Sequence, residues 1–219
     1  MSDDRFRVAT FNICHGKGRD GRVDLERTAG VIRELDADLI ALQELDVDLQ
    51  RSGHIDQPGE LARLLEARVH FFPTLGFDGG HYGIALAAAD ELTCRADPLP
   101  RLGDEEPRIV VTAEWNGTRI ATTHLSRDRA VRAEQTVHVA EMARGLEQPA
   151  IVLGDLNQGV GALGPLIAAG FTPVRASNGW FRTQIDHVLV SSGLEAVTTS
   201  FVPTTASDHY PLVVDVRRV

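Results

Sequence analysis

The stretch Ala150-Ile151-Val152-Leu153-Gly154-Asp155-Leu156-Asn157 decides how this 219-residue chain is read. Four apolar residues in a row fit a strand buried on both faces, the habit of a parallel strand covered by helices. Gly154 lets the backbone turn sharply, and alternation then puts Asp155 and Asn157 on one side. In α/β architecture, polar groups at the carboxyl ends of buried strands line the ligand crevice. An Asx turn closing the strand is the plainer alternative. Moving back along the chain, residues Arg129 to Leu146 read as a helix. The strand before it runs from Arg119 to Leu125 and ends in Thr122-Thr123-His124-Leu125. Asn116-Gly117 is a two-residue hairpin turn that joins it to a strand from Arg108 to Trp115.

The chain makes the same move earlier. Arg5 to Ile13 alternates as a strand and carries Asn12 near its end. Asp24 caps a helix whose buried stripe is Leu25, Ala29, Ile32 and Leu35. Asp38 to Leu42 is a short apolar strand that runs into Gln43-Glu44. Asn12 and Glu44 lie 32 positions apart, and His124 and Asp155 lie 31 apart. Two such units facing each other would bring Asn12, Glu44, His124, Asp155 and Asn157 to one site. Chance spacing between two ordinary units is the alternative. A carboxylate that ends a buried strand is costly unless a cation or donor meets it. Glu44 is therefore read as a metal ligand rather than a capping or surface acid.

The remaining layout is β-rich. A helix begins near Pro58 and runs to Arg68. Strands fit Val69 to Phe77, Gly83 to Ala89, Gln184 to Val190, Ala196 to Val202 and Leu212 to Val216. Two Asp-His pairs stand near the C-terminus. In Asp186-His187, alternation separates the two side chains, and His187 reads as a structural hydrogen-bonder. In Ser207-Asp208-His209-Tyr210-Pro211 the pair sits in a polar turn before an apolar strand. There Asp208 is placed to meet a metal and His209 to face a substrate.

Composition bounds the function classes. The chain is 43% hydrophobic and 24% charged, which excludes disorder and a disulfide scaffold. No linker or low-complexity tract divides it, so residues 1–219 are expected to form one domain. The 22 basic against 31 acidic residues leave a formal charge of −9, the opposite of a protein that tracks nucleic acid by charge. Phosphate chemistry here would need a cation from outside. Lys17 is the only lysine, and arginine suits phosphate clamps. The start Met1-Ser2-Asp3-Asp4-Arg5 lacks the basic n-region and apolar core of a signal peptide. No apolar run is long enough to span a membrane, and the two cysteines, Cys14 and Cys94, are too few for a framework. A cytoplasmic location is expected, with a Cys14–Cys94 pair left open.

The set Thr10-Phe11-Asn12, Leu42-Gln43-Glu44, Thr123-His124-Leu125, Gly154-Asp155-Leu156-Asn157, Ile185-Asp186-His187 and Ser207-Asp208-His209-Tyr210-Pro211 resembles the endonuclease/exonuclease/phosphatase superfamily. Each motif alone is weak, but six in family order across residues 10 to 211 are specific. The resemblance implies an α/β fold with a two-sheet β-sandwich flanked by helices, a four-layer α/β sandwich. It implies hydrolysis of phosphoric esters such as DNA, RNA, inositol phosphates and sphingomyelin. By resemblance, Glu44 is the principal Mg²⁺ ligand, helped by Asn12 and by Asp208. Asp155 would orient or deprotonate the attacking water, and Asn157 would hold a phosphate oxygen. His209, oriented by Asp186, would be general base or donor, and His124 would donate to the transition state. Carboxylate and amide oxygens select Mg²⁺, with Mn²⁺ as a substitute, over Zn²⁺. The segment Gly80 to Ala89 resembles a family strand that often ends in Leu-Ser-Arg, whereas Ala88-Ala89-Asp90 stand here.

The expected function is thus a Mg²⁺-dependent hydrolase acting on a phosphorylated small molecule or lipid head group, as a monomer. A DNA or RNA nuclease of the same superfamily is the alternative, and a catalytically inactive binding module the third reading. Arg51, Tyr82 and Arg127 are the candidate substrate contacts, with Arg129 and Arg132 nearby; each arginine alone also fits a solvated face. Specificity is expected in the loops Asp46 to Pro58, Phe77 to Tyr82, Arg101 to Pro107 and Gly159 to Trp180.

Overall fold

The computed structural model describes residues 5–176 and 184–219. The N-terminal residues read for a leader, and positions 177–180 of the last specificity loop, lie outside them. The strand order of the first sheet, which has six strands, is β11 (Leu194–Phe201), β12 (Leu212–Arg218), β1 (Arg5–Asn12), β2 (Leu39–Val47), β4 (Gly80–Ala88) and β3 (Arg68–Phe77). The second sheet, also six-stranded, runs β5 (Thr93–Pro98), β6 (Ile109–Trp115), β7 (Thr118–His124), β8 (Ala150–Asp155), β10 (Asp186–Val190) and β9 (Thr172–Pro173). Among the described residues each sheet has one parallel pair, and these are the two units read from the sequence. β1 lies beside β2 with α1 (Leu25–Leu35) between them in the chain; β7 lies beside β8 with α3 (Arg129–Arg144) between them.

Burial on both faces explains the apolar strands. Val8, Leu39, Ala41, Ile84 and Leu86 of the first sheet pack between the layers against Val111, Ile120, Ile151, Leu153 and Val188 of the second. The outer face of the first sheet carries Ala9, Phe11, Ile40 and Leu42, which meet Leu25, Ala29, Ile32 and Leu35 of α1 and Leu61 of α2 (Gln57–Leu65). On the other side Ala121, Val152 and Leu189 meet Val139, Ala140 and Ala143 of α3 and Leu166 of α4 (Gly164–Ala168). The result is the four-layer α/β/β/α sandwich. Truncating one of these buried leucines costs roughly 2–5 kcal/mol, so the slab that positions the strand ends is stiff.

Helix starts follow the capping residues. Asp24, Asp56 and Asp128 each accept from backbone N–H groups at the first turn of α1, α2 and α3. α2 ends at Leu65, short of Arg68, because Glu66 adopts a left-handed conformation and Arg68 starts β3. β5, β9 and α4 were not read from the sequence. β5 is a largely exposed edge strand that ends in proline, and the other two span only two and five residues.

One difference bears on the site. β2 does not end before Glu44 but continues to Val47 through a bulge. Gln43 and Leu45 pair with the consecutive residues Ile84 and Gly83, which leaves Glu44 outside the ladder at φ 63°. Bulges of this kind re-aim a side chain next to functional sites.

Candidate active site

Asn12, Glu44, His124 and Asp155 arrive together because the parallel registers place Asn12 beside Gln43 and His124 beside Asp155. β10 adds a third contribution, since Asp186 pairs with Asp155 across the antiparallel β8–β10 ladder. The 202–211 loop supplies the fourth. Ser207 Oγ donates to the Asn12 carbonyl at 2.7 Å and accepts from the His209 N–H at 3.1 Å. Gly154 makes the β8 end possible: at φ 143°, a side chain there would overlap the Thr123 carbonyl of β7.

Asp155 is the hub, only 1% exposed. Its Oδ2 accepts from Asn12 Nδ2 at 3.1 Å and lies 3.5 Å from His124 Nε2 and 3.9 Å from His209 Nε2. Its Oδ1 accepts the Asn157 N–H at 2.9 Å. Burial, then the nearby Asp186 charge, raises the Asp155 carboxyl to about 6. Asn12 Nδ2 also donates to Glu44 Oε1 at 2.9 Å, and Asn12 Oδ1 accepts from the Cys14 N–H at 3.0 Å. Asn12 thus faces both carboxylates with its nitrogen.

His209 and Asp186 meet although 23 residues separate them. Nδ1 donates to Asp186 Oδ2 at 2.9 Å, leaving Nε2 toward Asp155. Burial pulls the His209 pKa down, but the Asp186 hydrogen bond and the charges of Asp186, Asp155 and Asp208 outweigh it, to about 9. His124 moves the opposite way. Burial, then Arg108, holds it well below the ordinary histidine range, so it is neutral. The Tyr82 hydroxyl lies 3.5 Å from His124 Nδ1, and its own pKa is raised by burial and by Glu44.

The other expected residues divide. Asp208 is exposed beside His209, close enough to act on its charge. Asn157, left-handed at φ 51°, closes the Asx turn on Asp155 and donates from Nδ2 to the Leu125 carbonyl at 2.9 Å. Arg51 is committed internally. It forms a bidentate pair with the fully buried Asp46 at 2.7 and 2.8 Å and stacks over Phe77 and Tyr82. Arg127 is exposed and touches the site only through its field at His124. Arg132 donates to the Ser126 and Arg127 carbonyls and so braces the loop, while Arg129 opens α3 on the surface. His187 Nε2 donates to the Gln158 carbonyl at 2.8 Å, in the structural role expected.

Sequence reasoning missed two groups. Arg108 is 5% exposed, pairs with Glu106 at 2.9 Å, and leaves Nε buried without a partner among the described residues, beside Tyr82 and His124. An arginine opening an apolar strand after Glu106-Pro107 was its only signal. Ser207, the tie between the C-terminal turn and β1, looked like part of a polar turn.

The donor chemistry fits a hard cation. Glu44 has no salt bridge among the described residues, Asp186 Oδ1 is buried without a partner, and the surrounding ligand atoms are mostly oxygens. Asp155, Asp186 and His209 have ligand atoms within 4.8 Å of one another. Both cysteines are free, and among the described residues no helix is long and apolar enough to cross a membrane.

Residues 9–209 match the family model described as Endonuclease/Exonuclease/phosphatase family. Among solved structures, an endonuclease/exonuclease/phosphatase from Beutenbergia cavernae DSM 12333 superposes with a TM-score of 0.81 at 24% identity, covering 98% of this chain and 72% of that one. A mannosyl-6-phosphatase from Bacteroides thetaiotaomicron VPI-5482 gives 0.73 at 18% identity, over 96% and 99%. The human Nocturnin catalytic domain with bound sulfate gives 0.71 at 19%, over 99% and 95%. No curated protein matches the sequence. The family model spans nearly the whole chain and the fold agrees with it, so this protein belongs to the endonuclease/exonuclease/phosphatase family, whose members are largely hydrolytic phosphoesterases that use divalent metals.

Proposed function

We propose that this chain, acting as one unit, is a Mg²⁺-dependent hydrolase of a phosphoric ester of modest size. The observation that carries this reading is the convergence of Asn12, Glu44, His124 and the Asp186–His209 pair around Asp155, through hydrogen bonds and contacts of 3.5–3.9 Å. Glu44 would hold the ion, with Asp208 at the cleft rim and Asn12 fixing the Glu44 carboxylate. When bound, the ion supplies charge neutralisation at a phosphoryl oxygen.

The residues divide the proton work by environment, as paired titratable groups with pKa values pushed apart do. Asp155, at about 6, is ionised at neutral pH and is placed to take a proton from water. His209, at about 9, is protonated there and donates through Nε2. This favours donor over base for His209. His124 stays neutral and donates from one ring nitrogen. Asn157, with its nitrogen on Leu125, offers its carbonyl oxygen to orient water or an ester hydroxyl rather than a donor to phosphate.

A small substrate is favoured over a nucleic acid strand. The formal charge is −9, and Arg51 and Arg132, two of the candidate phosphate contacts, are spent on internal partners. A fold neighbour titled a mannosyl-6-phosphatase supports the same reading. We place the protein in the cytoplasm, which two free cysteines support, and read it as a monomer. One panel tests the function: sugar phosphates, inositol phosphates, sphingomyelin, nitrophenyl esters, single-stranded DNA and RNA, each with Mg²⁺ and with EDTA. Turnover of a small ester that EDTA abolishes is expected. Cleavage of nucleic acid alone would move the reading to the nuclease, and silence across the panel to a binding module.

A further inference from the structure

Next to this cluster stands a group of different chemistry. After Asn12 the chain turns through Cys14 and His15 at φ 47° and 45°, two successive left-handed residues that are not glycine. The turn is pinned. Cys14 N–H donates to Asn12 Oδ1 at 3.0 Å, Lys17 N–H to the Cys14 carbonyl at 2.8 Å, and Gln57 Nε2 to the His15 carbonyl at 2.7 Å. Backbone left-handed at two such positions costs of order 1–3 kcal/mol each and persists where the surroundings over-determine it. What the turn achieves is a meeting of side chains. Cys14 Sγ, a His15 ring nitrogen and a Glu44 carboxylate oxygen lie within 4.8 Å of one another. His15 Nδ1 is buried without a hydrogen-bond partner among the described residues, and the Cys14 thiol is free. Glu44, turned out of β2 by its bulge, completes the three.

We propose that Cys14, His15 and Glu44 form a binding site for a thiophilic divalent transition metal of the Zn²⁺ class. One sulfur, one imidazole nitrogen and one carboxylate oxygen are borderline-soft donors that Mg²⁺ does not seek and Zn²⁺ does. Bonds of 2.0–2.3 Å at tetrahedral angles put ligand atoms about 3.3–3.8 Å apart. The three lie within 4.8 Å of one another, so they need draw together by at most about 1.5 Å. The fourth position stays open to water. On binding, the thiol proton leaves to solvent and sulfur ligates as thiolate. Because Glu44 is shared, the soft ion competes with the hard one; this consequence alone rests on Glu44 as the Mg²⁺ ligand. The same cleft would then be active with Mg²⁺ and silenced by Zn²⁺.

Cobalt reports the site without substrate. Reduced, metal-free full-length protein titrated anaerobically with Co²⁺ should bind one equivalent, with a thiolate-to-cobalt charge-transfer band in the near ultraviolet. Cys94→Ser should keep the band, Cys14→Ser should lose it, and His15→Gln should weaken Co²⁺ binding by about tenfold or more. Zn²⁺ should also slow alkylation of Cys14 in the unmutated protein while leaving Cys94 unaffected, a readout that needs no variant. No charge-transfer band, a band that survives Cys14→Ser, or unprotected Cys14 would each overturn the site. Loss of hydrolysis in the substrate panel would leave the cobalt result standing, and the reverse holds too. In an active preparation, the Zn²⁺ concentration for half-inhibition should rise about tenfold in His15→Gln, and an unchanged value would overturn the shared role of Glu44.

Discussion

Asp186→Asn keeps the shape of the side chain and removes one charge between two titrating groups. The ion pair it breaks is short, 2.9 Å from Asp186 Oδ2 to His209 Nδ1, and nearly enclosed. His209 stands at about 9 against an ordinary value near 6.5. At about 1.36 kcal/mol per pH unit, that gap corresponds to about 3 kcal/mol of preference for the protonated form. Since the folded pKa is the raised one, this stability is present below pH 6.5 and is lost as pH rises through about 9. Asp186 also raises Asp155, so the substitution lowers both groups. The rate of the native enzyme should climb through about pH 6 and fall through about pH 9, as apparent values of a coupled set. In Asp186→Asn both limbs should move to lower pH, and the rate at pH 8 should fall by about 10²-fold or more. Histidine NMR titration of the metal-free protein reads the His209 shift directly, and a pH–rate profile reads both limbs. If His209 still titrates near 9 in Asp186→Asn, or if only one limb moves, the reasoning about this pair is wrong.

Three further outcomes follow from the geometry. Gly154→Ala should lower unfolding free energy in urea by roughly 3 kcal/mol or more, because its Cβ meets the Thr123 carbonyl between two central strands; native stability would contradict the β7–β8 register. Arg51→Ala strands the fully buried Asp46 and should cost roughly 2–4 kcal/mol, with KM for a small substrate changed less than stability. A large KM effect at unchanged stability would return Arg51 to the substrate. His124→Gln should cost about 10²-fold or more in kcat with no change in Mg²⁺ affinity, measured by calorimetry; weakened metal binding would place His124 in the metal shell instead.

The repeat of strand, helix and polar strand end was legible because both halves obey the same burial rule. Ile151-Val152-Leu153 and Leu39-Ile40-Ala41-Leu42 are apolar on both faces, so their first polar residues mark where the sandwich opens. The Asp186–His209 meeting was legible only as a hypothesis, since it depends on the register of β10 against β8 and on a loop anchored by Ser207. Three features could not be read. The Glu44 bulge arises from pairing with Gly83 and Ile84 on a distant strand, which no local pattern encodes. Arg51 looked free because its partner, Asp46, read as the start of a loop but lies fully buried in β2. The Cys14–His15 turn requires left-handed backbone at two successive residues that are not glycine, held by Gln57 of α2.

The central claim is that Glu44 holds the divalent cation that the ester hydrolysis requires. Calorimetric Mg²⁺ binding and hydrolysis should be measured on one preparation each of the native protein and Glu44→Gln, with melting temperature as the control. The native protein should bind Mg²⁺, turn over its ester, stop with EDTA and recover when Mg²⁺ is restored. Glu44→Gln should lose about 10²-fold or more in rate, lose most Mg²⁺ affinity, and melt no lower in the absence of metal, since one of several neighbouring acids has been removed. Native-level binding and turnover in Glu44→Gln would contradict the account.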